Sequence, residues 1–123
     1  MAKSSNNHRI DYVEFSVGDI GRSRSFYGDA FGWSFKDYGP SYCEFRDGRL
    51  TGGFALSGNG NPGGPTKGSG ALIILYASNL AETQRRIEEA GGKVVKPASS
   101  FPGGRRFHFA DPDGYELAVW SDK

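Results

Sequence analysis

Residues 10–32, IDYVEFSVGDIGRSRSFYGDAFG, decide the fold. The first eight alternate, with Val13, Phe15 and Val17 on one face of a strand and Tyr12, Glu14 and Ser16 on the other. Asp19 then offers an N-cap, and Ile20, Phe26, Tyr27, Ala30 and Phe31 mark the apolar side of a helix that stops at Gly32. The same grammar returns 60 residues later. Residues 71–77, ALIILYA, read as a more continuous apolar strand. Asn79 caps the next helix with Glu82 as a capping-box partner, Leu80, Thr83, Ile87 and Ala90 follow at helical spacing, and Gly91-Gly92 ends it.

Each helix is followed by three short strand candidates, at 33–38, 41–46 and 50–56 and again at 92–97, 104–110 and 114–120. Asp47-Gly48 and Asp113-Gly114 are turn signals that match at a shift of 66. Between the halves lies SGNGNPGGPTKGSG, residues 57–70, whose six glycines and two prolines carry almost nothing to bury. The chain therefore reads as one α+β domain of two tandem β-α-β-β-β modules, at about 8–56 and 71–121, with mixed sheets and helices outside.

Composition narrows the function. At 123 residues the chain can form a real core without staples, and its single cysteine excludes an internal disulfide or a Cys-rich zinc site. A net charge of +1 gives no field for nucleic acid or a membrane surface. No apolar run reaches bilayer length and no signal-peptide core follows MAKSSNNHR, so a cytoplasmic protein is expected.

The segments YVEFSVGDIGRSRSFYGDAFGW, EEAGGKVVKP and FHFADPDGYELAVWS resemble the glyoxalase / bleomycin-resistance / extradiol-dioxygenase (vicinal oxygen chelate) superfamily over about residues 8–121. The resemblance implies strands curled around a concave cleft. It also implies, in metal-dependent members, four His/Glu ligands from the first and last strands of each module. Carried onto this chain, those positions fall on Tyr12, Leu72, Ala118 and, 66 residues before Ala118, Gly52. Three of these side chains cannot ligate and a neutral tyrosine ligates poorly, so no metal cofactor is expected. The resemblance also implies a homodimer, because clefts in this superfamily are often completed by pairing.

Candidate chemistry rests on few residues. Glu14 shares the cleft parity of Tyr12, Glu116 shares that of Ala118, and His108 faces away from Phe107 and Phe109; these three are the candidate acids and bases. The plainer readings are solvent-exposed carboxylates near arginines and a hydrogen-bonded structural histidine. Tyr12, Phe54, Leu72, Tyr76, Ala118 and Trp120 are expected to line a cavity for a small apolar or aromatic ligand. The alternatives are a filled inter-module core, an assembly interface, or a metal-dependent lyase, isomerase or dioxygenase with Glu14, His108 and Glu116 as unusual ligands. Cys43 reads as a small core residue, and Lys67-Gly68 breaks any phosphate-loop spacing.

Overall fold

A computed structural model describes residues 7–57 and 71–123. Each half is a β-α-β-β-β module. The first comprises β1 (Val13–Val17), α1 (Ile20–Phe31), β2 (Ser34–Asp37), β3 (Tyr42–Arg46) and β4 (Thr51–Leu56). The second comprises β5 (Ile73–Tyr76), α2 (Leu80–Glu89), β6 (Lys93–Phe101), β7 (Gly104–Ala110) and β8 (Glu116–Ser121). The sheets are ordered β1-β4-β3-β2 and β5-β8-β7-β6, parallel only at β1–β4 and β5–β8. Among the described residues no strand of one sheet pairs with a strand of the other, so the curved sheet comes in two halves. Most of the predicted glycine-rich linker, residues 58–70, lies outside the described residues. Among the described residues no helix is long and apolar enough to cross a membrane.

Local chemistry explains the element ends. The Asp19 carboxylate accepts from the Arg22 amide, and Gly32 closes α1 in the left-handed region at φ 76°. The Asn79 side chain accepts from the Glu82 amide, but the Glu82 carboxylate turns to Arg85 rather than back to the cap, so only half of the capping box forms. The β6 strand runs four residues past its expected end, through Pro97, with register irregularities that accommodate it.

Both sheets turn one face to a shared core. Phe15, Val17, Phe45 and Phe54 from the first sheet join Phe107, Phe109, Leu117 and Val119 from the second, with Phe26 and Tyr27 of α1 between them. The Phe26 and Phe31 rings sit 6.1 and 5.9 Å from Phe109, so the first helix packs on the second sheet. Burial of this aromatic set is the main source of stability. The opposite faces of both sheets point away from the core and are open.

The β7–β8 turn, Asp111-Pro112-Asp113-Gly114-Tyr115, clasps the two modules. The buried Tyr27 hydroxyl donates to Asp111 Oδ2 at 2.7 Å. Asp113 accepts from the Gly18 amide (2.9 Å), the Arg22 guanidinium (2.7 Å) and the Ser23 hydroxyl (3.3 Å). The Tyr115 ring meets Phe15 edge-on at 5.0 Å, and its hydroxyl accepts from the Ser16 amide and donates to the Ser16 carbonyl. The Asp-Pro-Asp-Gly-Tyr motif is thus a hydrogen-bonded buckle across the module seam.

Two sequence expectations are corrected by the register. Phe54 pairs laterally with Phe15 and Cys43, which puts it on the core face, fully buried against Tyr27 and Phe45, and not in a cleft. Gly52 lies opposite Val13 and Phe45 on the same core face; the repeat mate of Ala118 is Gly53, at a shift of 65. The Asp-Gly dipeptides misalign the halves because their aspartates play different parts. Asp47 accepts from the amides of Arg49 and Leu50, and Asp111 accepts from those of Asp113 and Tyr115, so Asp47 corresponds to Asp111. The first turn is one residue shorter.

Candidate functional site

The open face of the first sheet carries a short hydroxyl relay. Tyr12, just before β1, and Tyr42 of β3 lie with their Oη atoms 2.7 Å apart, and Tyr42 Oη donates to Glu14 Oε1 at 2.9 Å. An ionised carboxylate only accepts, so the single Tyr42 proton goes to Glu14 and the Tyr12 hydroxyl donates to Tyr42. Gly53 makes this possible, because a Cβ there would strike both hydroxyls. Burial, reinforced by the bonds to Tyr12 and Glu14, pushes the Tyr42 phenol far above the usual tyrosine range. The relay is therefore a fixed array of donors and one carboxylate, and Tyr42 is no base. Strand alternation in 42–46 was the signal that could have found it: Tyr42 and Glu44 share the open face with Glu14.

On the open face of the second sheet the structure brings His108 and Glu116 together, Nδ1 to Oε2 at 2.7 Å. The imidazole is buried and the carboxylate half exposed. A carboxylate partner keeps the proton on Nδ1, so the neutral ring would present Nε2 as an acceptor. That is the geometry of an oriented general base, and equally of a satisfied structural pair. Ala118 lies between Ile74 and His108 in the register, and Trp120 between Tyr76 and Arg106. The Tyr76 and Trp120 rings meet at 5.2 Å and 71°. Tyr76 is further fixed by donating to Asp122, which pushes its phenol up.

The expected site residues thus fall into groups. His108 and Glu116 form one pair; Glu14 sits on the other sheet, committed to Tyr42. Leu72, Tyr76, Ala118 and Trp120 share one open face, Tyr12 belongs to the other, and Phe54 belongs to neither. A cavity of about 540 Å³ opens at the seam between β1 and β5, and of the six expected ligand-binding residues only Tyr76 and Trp120 reach it.

The positions where metal-dependent relatives hold an ion do not offer a fitting donor set. Tyr12 is hydrogen-bonded into the relay, Gly53 has no side chain, Ala118 is buried methyl, and Leu72 is apolar. Among the described residues no three His, Cys, Asp or Glu side chains are grouped to bind a metal.

Comparison with known proteins agrees with this architecture. The crystal structure of a glyoxalase-related enzyme from Fulvimarina pelagi matches with a TM-score of 0.77 at 22% identity, covering 93% of this chain and 88% of that one. A glyoxalase/bleomycin resistance protein/dioxygenase family enzyme from Burkholderia phytofirmans PsJN matches at 0.78 and 16% identity, over 93% and 100% of the two chains. A lactoylglutathione lyase from Agrobacterium tumefaciens matches at 0.68 and 20% identity, over 93% of each. At such identities these structures share the fold. A sequence search of curated proteins finds no significant match. A family model for the Glyoxalase/Bleomycin resistance protein/Dioxygenase superfamily, however, matches residues 9–119, nearly the whole chain. With the duplicated modules and the strand order already in place, that match makes the chain a member of this superfamily.

Proposed function

We propose that this protein binds a small apolar or aromatic molecule against the open face of its second sheet, without a metal at the inherited position, and that a second copy of the chain covers the site. One observation carries the reading. Leu72, Ile74 and Tyr76 are 37%, 44% and 52% exposed on a single face around the small, buried Ala118. Large apolar side chains left bare together mark a surface that is covered in use. The His108–Glu116 pair borders the same face and supplies the few polar groups that orient a guest. A two-fold pairing of identical chains would bring a second open face over it, including the Tyr12–Tyr42–Glu14 relay.

The His108–Glu116 geometry favours a second reading, acid/base chemistry on that bound molecule by a lyase- or isomerase-like enzyme. His108 Nε2 would then take or return the proton, and Glu116 would hold the ring.

Size-exclusion with light scattering should give a particle of about twice 13.3 kDa. Native mass spectrometry of freshly purified protein should show a retained small molecule, and Leu72→Asp should abolish both. A monomer with a bare face would end the proposal. Turnover lost in His108→Gln, with the ligand still retained, would establish the enzymatic reading.

A further inference from the structure

The seam cavity has a structural origin that points to a second ligand site. In the second turn the Asp111 amide donates to the Tyr115 carbonyl, and in the first the Asp47 amide donates to the Leu50 carbonyl. Leu50 is therefore the counterpart of Tyr115. By the shift of 60, Leu75 is the counterpart of Phe15. On one side of the seam two rings fill the contact: Tyr115 against Phe15, with the hydroxyl tied to Ser16. On the other side two leucines stand in their places, and both line the cavity. The volume missing from those side chains is left as space.

The cavity wall is rigid and aromatic. Trp33 is stacked on Tyr27 at 4.6 Å and on Phe45 at 4.7 Å, at angles of 14° and 18°. Phe31 and Phe15 continue the wall. A preformed slot of this kind accepts a flat ring at low ordering cost. Its rim carries Asp47 and Arg49. Asp47 Oδ1 is already held by the amides of Arg49 and Leu50, at 2.8 and 2.6 Å. The Arg49 guanidinium has neither an ion pair nor a hydrogen bond among the described residues.

We infer that the seam cavity binds a small aromatic carboxylate, its ring between Trp33 and Leu75 and its carboxylate on Arg49. The cavity shares Ile74, Tyr76 and Trp120 with the open face proposed above, but its ring slot and anion contact, Trp33, Leu75 and Arg49, lie outside that face, so the inference does not depend on that reading. A planar guanidinium matches a carboxylate in two parallel hydrogen bonds, which gives the anion preference.

Both tryptophans of the chain line the cavity, so binding can be read directly. The test titrates the full chain with phenylacetate and with its neutral isostere phenylacetamide, following tryptophan fluorescence and the Trp33 indole NMR signal. Phenylacetate should saturate both signals and bind roughly tenfold tighter than the amide, the size of one charge-assisted hydrogen bond. Arg49→Gln should erase that preference while leaving the amide's affinity unchanged. Leu50→Tyr, which rebuilds the plug of the other seam, should abolish binding of both compounds and raise the thermal midpoint. Leu72→Asp, on the open face, should bind phenylacetate as the wild type does. An unsaturable titration, an acid preference that survives Arg49→Gln, or undiminished binding in folded Leu50→Tyr would each overturn the assignment. Should Leu50→Tyr fail to fold, Leu50→Phe tests the same closure without the hydroxyl.

Discussion

Asp113→Ala should cost about 2 kcal/mol, although Asp113 belongs to a turn and no part of the proposed chemistry. The carboxylate is wholly buried and accepts from three donors of the first module. They are not equal. Arg22 is 45% exposed, so on losing its partner it recovers water, and its share is under about 1 kcal/mol. The Gly18 amide is likewise exposed and returns to water, so its share is also under about 1 kcal/mol. The buried Ser23 hydroxyl has no such recourse, and a stranded donor costs about 1–3 kcal/mol, though the contact is long at 3.3 Å, which puts it at the low end. The sum is about 2 kcal/mol, a fall of about 7 °C in Tm for a chain of this size. Urea unfolding followed by tryptophan fluorescence measures it. A double-mutant cycle with Arg22→Ala should return a coupling of no more than about 1 kcal/mol. Because the clasp joins the modules, the single transition should also broaden, with a lower apparent slope. The reasoning fails if Asp113→Ala costs under about 1 kcal/mol, or if Arg22→Ala alone reproduces the full loss.

Two adjacent glycines should behave oppositely. Gly52→Ala places a methyl into the Phe45 ring and the Val13 carbonyl, where backbone cannot yield, so a loss of about 3 kcal/mol in chemical unfolding is expected. Gly53→Ala meets only the Tyr12 and Tyr42 hydroxyl ends on an open face; the fold should persist while Tyr42, freed from Glu14, titrates nearer ordinary tyrosine in an alkaline absorbance titration. Asp111 gives a pH signature. Burial, the largest influence, raises its carboxyl above the usual value in the folded chain. The folded state therefore binds the proton more tightly, so this residue's contribution is greatest below the unfolded pKa of about 3.9 and is lost as pH rises through the folded value. The stability of the wild type relative to Asp111→Asn should accordingly grow on acidification below neutrality; a gap constant with pH would contradict it.

The fold was legible because both signals that define it are local. Asp19, Asn79 and Gly32 cap as their chemistry requires, and alternation from Tyr12 to Val17 assigns faces that the structure keeps. His108 was also legible, since Phe107 and Phe109 fix its direction by strand parity. Glu116 was placed on the right face by its parity with Ala118, but its bond to His108 was not legible, because the pair is diagonal across two strands and depends on the length of the turn between them. The parity of Phe54 failed for the same reason. A strand reached through a turn inherits the count of that turn, and one residue reverses every side chain after it.

That single residue also separates what the two halves became. The five-residue turn of the second module has room for Asp113, whose carboxylate reaches Gly18, Arg22 and Ser23, and it ends on Tyr115, which plugs the seam. The four-residue turn of the first module ends on Leu50 and, among the described residues, reaches no equivalent partner; what its residues line is a cavity. A duplicated module needs only one such buckle to hold its halves together, since α1 already packs on the second sheet through Phe26 and Phe31. The second seam is thereby released from a structural duty. If the Leu50→Tyr closure raises stability while abolishing phenylacetate binding, the open seam is a feature kept at the expense of stability, which is the pattern expected of a binding site rather than of an unfilled core.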